Sequence, residues 1–192
     1  MKLIGILASP RKNGNVAQML DCAVEKAKLL GYDIEYVDLH EKSIAYCTGC
    51  MSCKKTGICV IKDDVADIRK SLLESDVVVI ACPTYFANVT APLKALFDRL
   101  VGAVMDDNNG PIPRPKLSKK QKYVLLTACN TPAPFDRLAR QSTGCLKAMD
   151  EVMHISGMTR AGRIVFAGTR GKRKPTKAVI QKINRCMERL SI

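Results

Sequence analysis

The sequence predicts an α/β protein: one five-stranded parallel sheet, doubly wound, with helices on both faces. Three observations predict it. Short apolar runs alternate with segments of helical period along the chain, the pattern of repeated strand–helix units. The run at 76–82 (DVVVIAC) is apolar at nearly every position, as strands covered on both faces are. The chain has 192 residues, 47% of them hydrophobic, which suits a single domain with an ordinary core.

The elements follow in order. Residues 2–8 (KLIGILA) read as the first buried strand. Val16, Met19, Leu20, Ala23, Val24 and Ala27 recur on one face of a helix beginning at Asn15, and Gly31 is its stop. Residues 33–38 alternate as a second strand. Asp63 or Asp64 caps a helix carrying Val65, Ile68, Leu72 and Leu73. After the strand at 76–82, Pro92 starts a helix with Leu93, Leu96, Phe97 and Leu100. Residues 122–128 form the fourth strand, one helix covers 135–156 and stops at Gly157, and 162–167 form the fifth strand. A last helix over 175–190 puts Val179, Ile180, Ile183 and Met187 on one face. The polar stretch 105–121, with three prolines, reads as a long loop within a single domain spanning 1–192.

Composition narrows the function. No apolar run approaches the length of a membrane span, and the N-terminal run ends in a turn rather than a cleavage site. Nine cysteines without a leader point to a reducing, cytoplasmic setting, where clustered cysteines bind metal or do redox work. The net charge of +13 is uneven: residues 1–109 hold 13 Lys+Arg and 14 Asp+Glu, and residues 110–192 hold 18 and 4. Such a face attracts a phosphorylated cofactor or an acidic protein, or is simply a solvated surface. With aromatics at 5% and none interleaved with the charges, nucleic acid is the weakest partner.

Two loops carry chemistry. Ser9-Pro10-Arg11-Lys12-Asn13-Gly14-Asn15 joins the first strand to the first helix, and a helix N-terminus with Ser9, Asn13 and Asn15 as donors and Arg11 as cation suits a phosphate. It lacks the spacing of a Walker or dinucleotide loop, so a monophosphate fits best. The alternative is an ordinary polar turn. Pro83-Thr84-Tyr85-Phe86-Ala87-Asn88 follows the third strand, and ligands of open α/β sheets bind at such carboxyl ends. Tyr85 and Phe86 are placed either to flank an aromatic ring system or to plug the core.

These two loops, with Asp63-Asp64 and Leu93-Lys94-Ala95-Leu96-Phe97-Asp98-Arg99, resemble the NAD(P)H-dependent FMN reductases of the flavodoxin superfamily over residues 1–100. The resemblance implies the strand order 2-1-3-4-5 and FMN as cofactor. It implies phosphate binding by Ser9, Arg11, Asn13 and Asn15, and ring binding by Pro83, Thr84, Tyr85, Phe86 and Asn88. It also implies a homodimer or homotetramer with the flavin near a subunit interface.

Cys47-x2-Cys50-x2-Cys53-x5-Cys59 lies within a cysteine-rich loop at 44–62. Four thiolates this close can wrap one inorganic core. The spacing resembles the iron–sulfur flavoproteins, a branch of the same family, and implies these four as ligands of a [4Fe-4S] cluster. Zinc and clusterless redox thiols compete for the same residues. Cys22, Cys82 and Cys186 read as small buried hydrophobes. Cys129 ends the fourth strand beside the expected ring, followed by a loop stiffened by Pro132 and Pro134. Neither His40 nor His154 sits in a catalytic motif, so any turnover is the cofactor's chemistry. The expectation is an FMN oxidoreductase with a cluster, taking electrons from NAD(P)H or exchanging them with an acidic carrier such as a ferredoxin. The competing expectations are a clusterless NAD(P)H-dependent FMN or quinone reductase and a zinc or thiol-sensing module without turnover.

Overall fold

The protein is described by a computed structural model covering residues 1–106 and 112–190. Five parallel strands form one sheet: β1 (Lys2–Leu7), β2 (Asp33–Asp38), β3 (Val77–Pro83), β4 (Lys122–Cys129) and β5 (Thr159–Ala167). Their spatial order is β2-β1-β3-β4-β5, the order expected. The five main helices are α1 (Asn15–Leu29), α2 (Val65–Glu74), α3 (Ala91–Val104), α4 (Gln141–Ile155) and α5 (Lys177–Glu188).

The uniform apolarity of β3 has a direct structural cause. Val77, Val79 and Ala81 pack into a core shared with α1 and α5. Val78, Ile80 and Cys82 face the opposite core, under α2, α3 and α4. Successive side chains point to opposite faces, so a strand covered on both needs apolar residues throughout. β1 divides the same way, with Leu3 and Leu7 in one core and Ile4 and Ile6 in the other.

Several boundaries differ from expectation. The helix expected over 135–156 is two helices, Phe135–Leu138 and α4, separated at Arg140, whose backbone is left-handed at φ 55°. A buried hydrogen bond from Ser142 Oγ to Asp136 Oδ2 (2.5 Å) ties the two across the break. β5 begins three residues early, at Thr159, because pairing with β4 continues through polar residues that show no apolar signal. Ile180 is 36% exposed, and α5 buries only Val179, Ile183 and Met187. The cysteine-rich loop contains a helical turn, Ser52–Thr56, between left-handed Met51 and Gly57. In the 105–121 stretch, Met105–Asp106 pairs with Arg114–Pro115; the expectation for 107–111 lies outside the described residues. Among the described residues, no helix is long and apolar enough to cross a membrane.

Ile80 is fully buried at the centre of the sheet. Ile80→Ala is expected to cost about 2–5 kcal/mol in urea unfolding, the penalty for a cavity in a close-packed core. Ile180→Ala, on the half-exposed face, is expected to stay within about 0.5 kcal/mol. Equal losses at the two positions would contradict this assignment of the faces.

Candidate functional site

The loops leaving β1 and β3 lie side by side at the carboxyl edge of the sheet, where a cavity of about 530 Å³ opens. Two bonds fix its floor: Ala8 N–H donates to Ala81 O (2.9 Å), and Thr90 Oγ1, at the start of α3, donates to Ala8 O (2.9 Å). Beyond Ala8 the chain turns tightly. Arg11 N–H donates to the buried Ser9 Oγ (3.2 Å), and Gly14 N–H returns to Arg11 O (2.9 Å). That turn sets Arg11, Asn13 and Asn15 on the cavity wall beside the start of α1. No side chain caps α1, so the unpaired N–H groups and positive dipole end of its first turn remain for a ligand.

Pro83, Thr84 and Tyr85 form the second wall. Thr84 Oγ1 shares a hydrogen bond with Thr127 Oγ1 (3.0 Å). Tyr85 and Asn88 exchange both backbone hydrogen bonds (3.0 and 2.9 Å) around left-handed Phe86 and Ala87. This turn throws Phe86 fully into solvent. Asn88 caps its own segment, its Oδ1 accepting from Val89 N–H (2.8 Å), and it lines a separate shallow pocket with Ala87 and Gly144. The structure therefore brings together Ser9, Arg11, Asn13, Asn15, Pro83, Thr84 and Tyr85, and leaves Phe86 and Asn88 outside the lining.

Ala128, Cys129 and Asn130 make the third wall. Burial pushes the Cys129 thiol up, so it stays protonated at neutral pH. A fourth wall escaped the sequence reading: Thr169, Lys172 and Arg173 of the β5–α5 loop. The one available signal was the run of cations at 170–174. Arg11, Lys172 and Arg173 thus face one cavity whose lining contains no carboxylate. Asn15 Nδ2 donates to Lys172 O (2.9 Å), while its Oδ1 is buried without a partner. A cationic pocket with an orphaned buried acceptor fits a phosphorylated ligand that also carries hydroxyl groups, as FMN does.

The four motif cysteines line a second, smaller recess of about 90 Å³ beside α3. Their segment buries little apolar surface; Tyr46, Met51, Ile58 and Val60 are exposed. Polar contacts anchor it instead. Ser43 N–H and Ala45 N–H donate to Asp64 and Asp63 carboxylates (2.6 and 2.9 Å), and Arg69 Nε donates to Gly57 O (3.0 Å). Arg99 of α3, with its side chain fully buried, spends all five N–H donors here. Nη1 bonds Ala45 O (2.9 Å) and Asp63 Oδ2 (2.8 Å), Nη2 bonds Ile61 O (3.0 Å) and Asp63 Oδ1 (3.0 Å), and Nε bonds Cys59 Sγ (3.0 Å). A Cβ at Gly102 would lie 2.3 Å from Cys53 O, so glycine there lets the Ser52–Thr56 turn sit against α3.

The donor set and the shared recess fit a thiolate-bound inorganic group. Hydrogen bonds from Ser52, backbone first, and from Thr48 hold the Cys50 thiol below its ordinary value. As placed, however, Cys47 and Cys50 are exposed, and among the described residues no group of three or more His, Cys, Asp or Glu is arranged around a metal position. Elsewhere Cys82 is buried, as expected, whereas Cys22 and Cys186 are only partly so.

The NADPH-dependent FMN reductase family model matches residues 1–134. An iron-sulfur flavoprotein of Archaeoglobus fulgidus is 45% identical over 101 residues, 53% of this chain and 46% of that protein. One from Methanosarcina thermophila is 39% identical over 101 residues, 53% of each. The chain spans about half the length of these curated relatives. An FMN-dependent NADH-azoreductase of Bacillus anthracis, solved in complex with FMN, superposes with a TM-score of 0.76 at 16% identity over 100% of both chains, a likeness of fold.

Burial works to raise the Asp63 carboxyl, but the bonds from Arg99, Ala45 and Val65 and the charge of Arg99 outweigh it and hold the carboxyl below 3.8. A depressed folded value contributes stability above the ordinary value, lost as pH falls through the folded one. Arg99→Leu is expected to cost about 3–5 kcal/mol at neutral pH by leaving a buried carboxylate alone. In urea unfolding, the gap between wild type and variant narrows as pH falls, because the carboxyl left alone in the variant takes up a proton before the paired one does. A gap independent of pH would show that the ion pair is not its source.

Proposed function

The chain belongs to the NADPH-dependent FMN reductase family, and from that premise we propose that it is an FMN-dependent oxidoreductase, with NAD(P)H as donor and a [4Fe-4S] cluster on Cys47, Cys50, Cys53 and Cys59. One observation carries the flavin assignment: the cavity at the β1/β3 edge, with three cations, no lining carboxylate and the unpartnered Asn15 Oδ1. Bound FMN supplies hydride and single-electron chemistry. The chain's part is to bind and orient. Arg11, Ser9, Asn13 and the first turn of α1 hold the phosphate. Pro83, Thr84 and Tyr85 wall the ring, and Cys129 Sγ keeps its proton beside it. Phe86 and Asn88 keep a role only as the turn that presents Tyr85.

For the cluster, the support is that four thiols line one recess and that relatives 45% and 39% identical are named iron-sulfur flavoproteins. The open arrangement of those thiols favours a second reading, a clusterless NAD(P)H-dependent FMN or quinone reductase. In the clustered form, an acidic one-electron carrier such as a ferredoxin docks on the basic C-terminal part, where 18 Lys+Arg face 4 Asp+Glu. Exposed Tyr46, Met51, Ile58, Tyr85, Phe86 and Phe135 support a homodimer or homotetramer.

Anaerobic purification followed by flavin, iron and sulfide assays tests this. Flavin with about four irons per chain supports the clustered enzyme. Flavin without iron selects the second reading, and zinc without flavin would replace both with a thiolate metal module. Arg11→Ala with Asn15→Ala is expected to weaken FMN retention about tenfold or more, the worth of a charge-assisted bond. Cys53→Ser with Cys59→Ser is expected to remove iron and leave flavin in place.

A further inference from the structure

The fourth wall of the cavity is built as a strap. Its start is tied to the third wall, with Gly168 N–H donating to Thr131 O (2.9 Å) and Thr169 N–H to Cys129 O (3.1 Å). Its far half is tied to α1, where Asn15 Nδ2 donates to Lys172 O (2.9 Å) and Gln18 Nε2 to Arg173 O (2.8 Å). The same Gln18 nitrogen donates to Asn13 O (3.0 Å) in the β1–α1 loop. One side-chain amide thus holds together two loops about 155 residues apart in the chain.

The backbone of the strap is therefore fixed, and Thr169 Oγ1 adds a side-chain bond to Asn130 Oδ1 (2.9 Å). Lys172 Nζ lies 5.6 Å from the centre of the Phe166 ring. Among the described residues, neither Lys172, Arg173 nor Arg11 makes an ion pair, although surface lysines elsewhere do. Three uncompensated cations around one carboxylate-free cavity raise the local potential and favour a bound anion. The family resemblance places the phosphate on the β1–α1 loop alone; nothing in that loop accounts for two further cations delivered from β5.

We propose that Lys172 and Arg173 form the second half of a phosphate-monoester clamp. In it, the phosphate of the flavin lies between the strap on one side and Arg11 with the first turn of α1 on the other. Gln18 is the positioning residue that keeps the halves in register. This rests on the flavin assignment above and adds a consequence: the strap selects the phosphorylated flavin over the free one. Losing the strap cations removes charge-assisted bonds to the phosphate and leaves the contacts to the ring unchanged.

The test uses apo-protein titrated with FMN and with riboflavin, followed by quenching of flavin fluorescence, in wild type, Lys172→Gln/Arg173→Gln and Gln18→Ala. Lys172 and Arg173 are exposed, so their substitution leaves the core untouched. The clamp predicts that wild type prefers FMN. It predicts that the double variant loses about tenfold or more in FMN affinity with riboflavin affinity unchanged. It also predicts that Gln18→Ala lowers the FMN-to-riboflavin preference in the same direction. Equal losses for FMN and riboflavin would reduce the strap to a wall, and an unchanged FMN affinity would remove it from the site; either overturns the clamp. Thermal stabilisation by inorganic phosphate separates this from the flavin assignment. If wild type binds no flavin, but phosphate raises its Tm and not that of the double variant, the clamp stands and the flavin assignment falls. If phosphate stabilises neither, both fall.

Discussion

The architecture depends on the parallel pairing of β1 with β3, both buried on two faces. β1 pairs with β2 on one side and β3 on the other, so the chain winds outward in one direction from β1 and in the opposite direction from β3. Right-handed crossovers then carry α1 to one face and α2 and α3 to the other. The loops leaving β1 and β3 diverge, and the crevice between them is a product of topology before any side chain is chosen. The sealing bonds at Ala8 only close its floor.

The cysteine segment is held by different physics. It contributes almost nothing to either core, so the hydrophobic effect cannot fix it, and the work falls to directional bonds. A buried ion pair is weak evidence for stability, because desolvation offsets much of its Coulombic gain. Its value here is geometric. The planar guanidinium of Arg99 meets Asp63 bidentately, and its remaining donors reach two carbonyls and one sulfur of the same segment. A lysine could not satisfy that set. The arrangement specifies one path for a stretch of chain that would otherwise have many.

What was legible in the sequence follows from which forces leave a local trace. Burial on two faces writes itself as DVVVIAC, and the start of α3 is written in Pro92, so the strands were accessible, while their order came only with the family resemblance. The break at Arg140 was not, because it turns on a hydrogen bond between Asp136 and Ser142 inside an otherwise helical pattern. Tyr85 and Phe86 are adjacent and chemically alike, yet a left-handed turn sends one to the cavity and the other to solvent. Arg99 looked like part of a family motif on a helix, and its five acceptors lie 36 to 54 residues away. Lys172 and Arg173 were hidden among other cations, and only the fold shows that two of that run line one cavity with Asn15.

Both sites hang on one helix. Thr90 at the start of α3 bonds the β1–α1 loop, Arg99 in its middle bonds the cysteine segment, and Gly102 receives the Ser52–Thr56 turn. Arg99 lies nine positions beyond Thr90, about 14 Å at 1.5 Å per residue. The spacing between the cavity at the sheet's carboxyl edge and the cysteine recess is therefore set by a rigid element packed on the sheet through Leu93, Leu96 and Leu100, rather than by either loop. Functional groups mounted on such an element keep their separation when the loops around them move. If the recess does carry a redox group, the distance between the two centres within one chain is a property of α3, and changes in the loops can alter occupancy of either site without altering that distance.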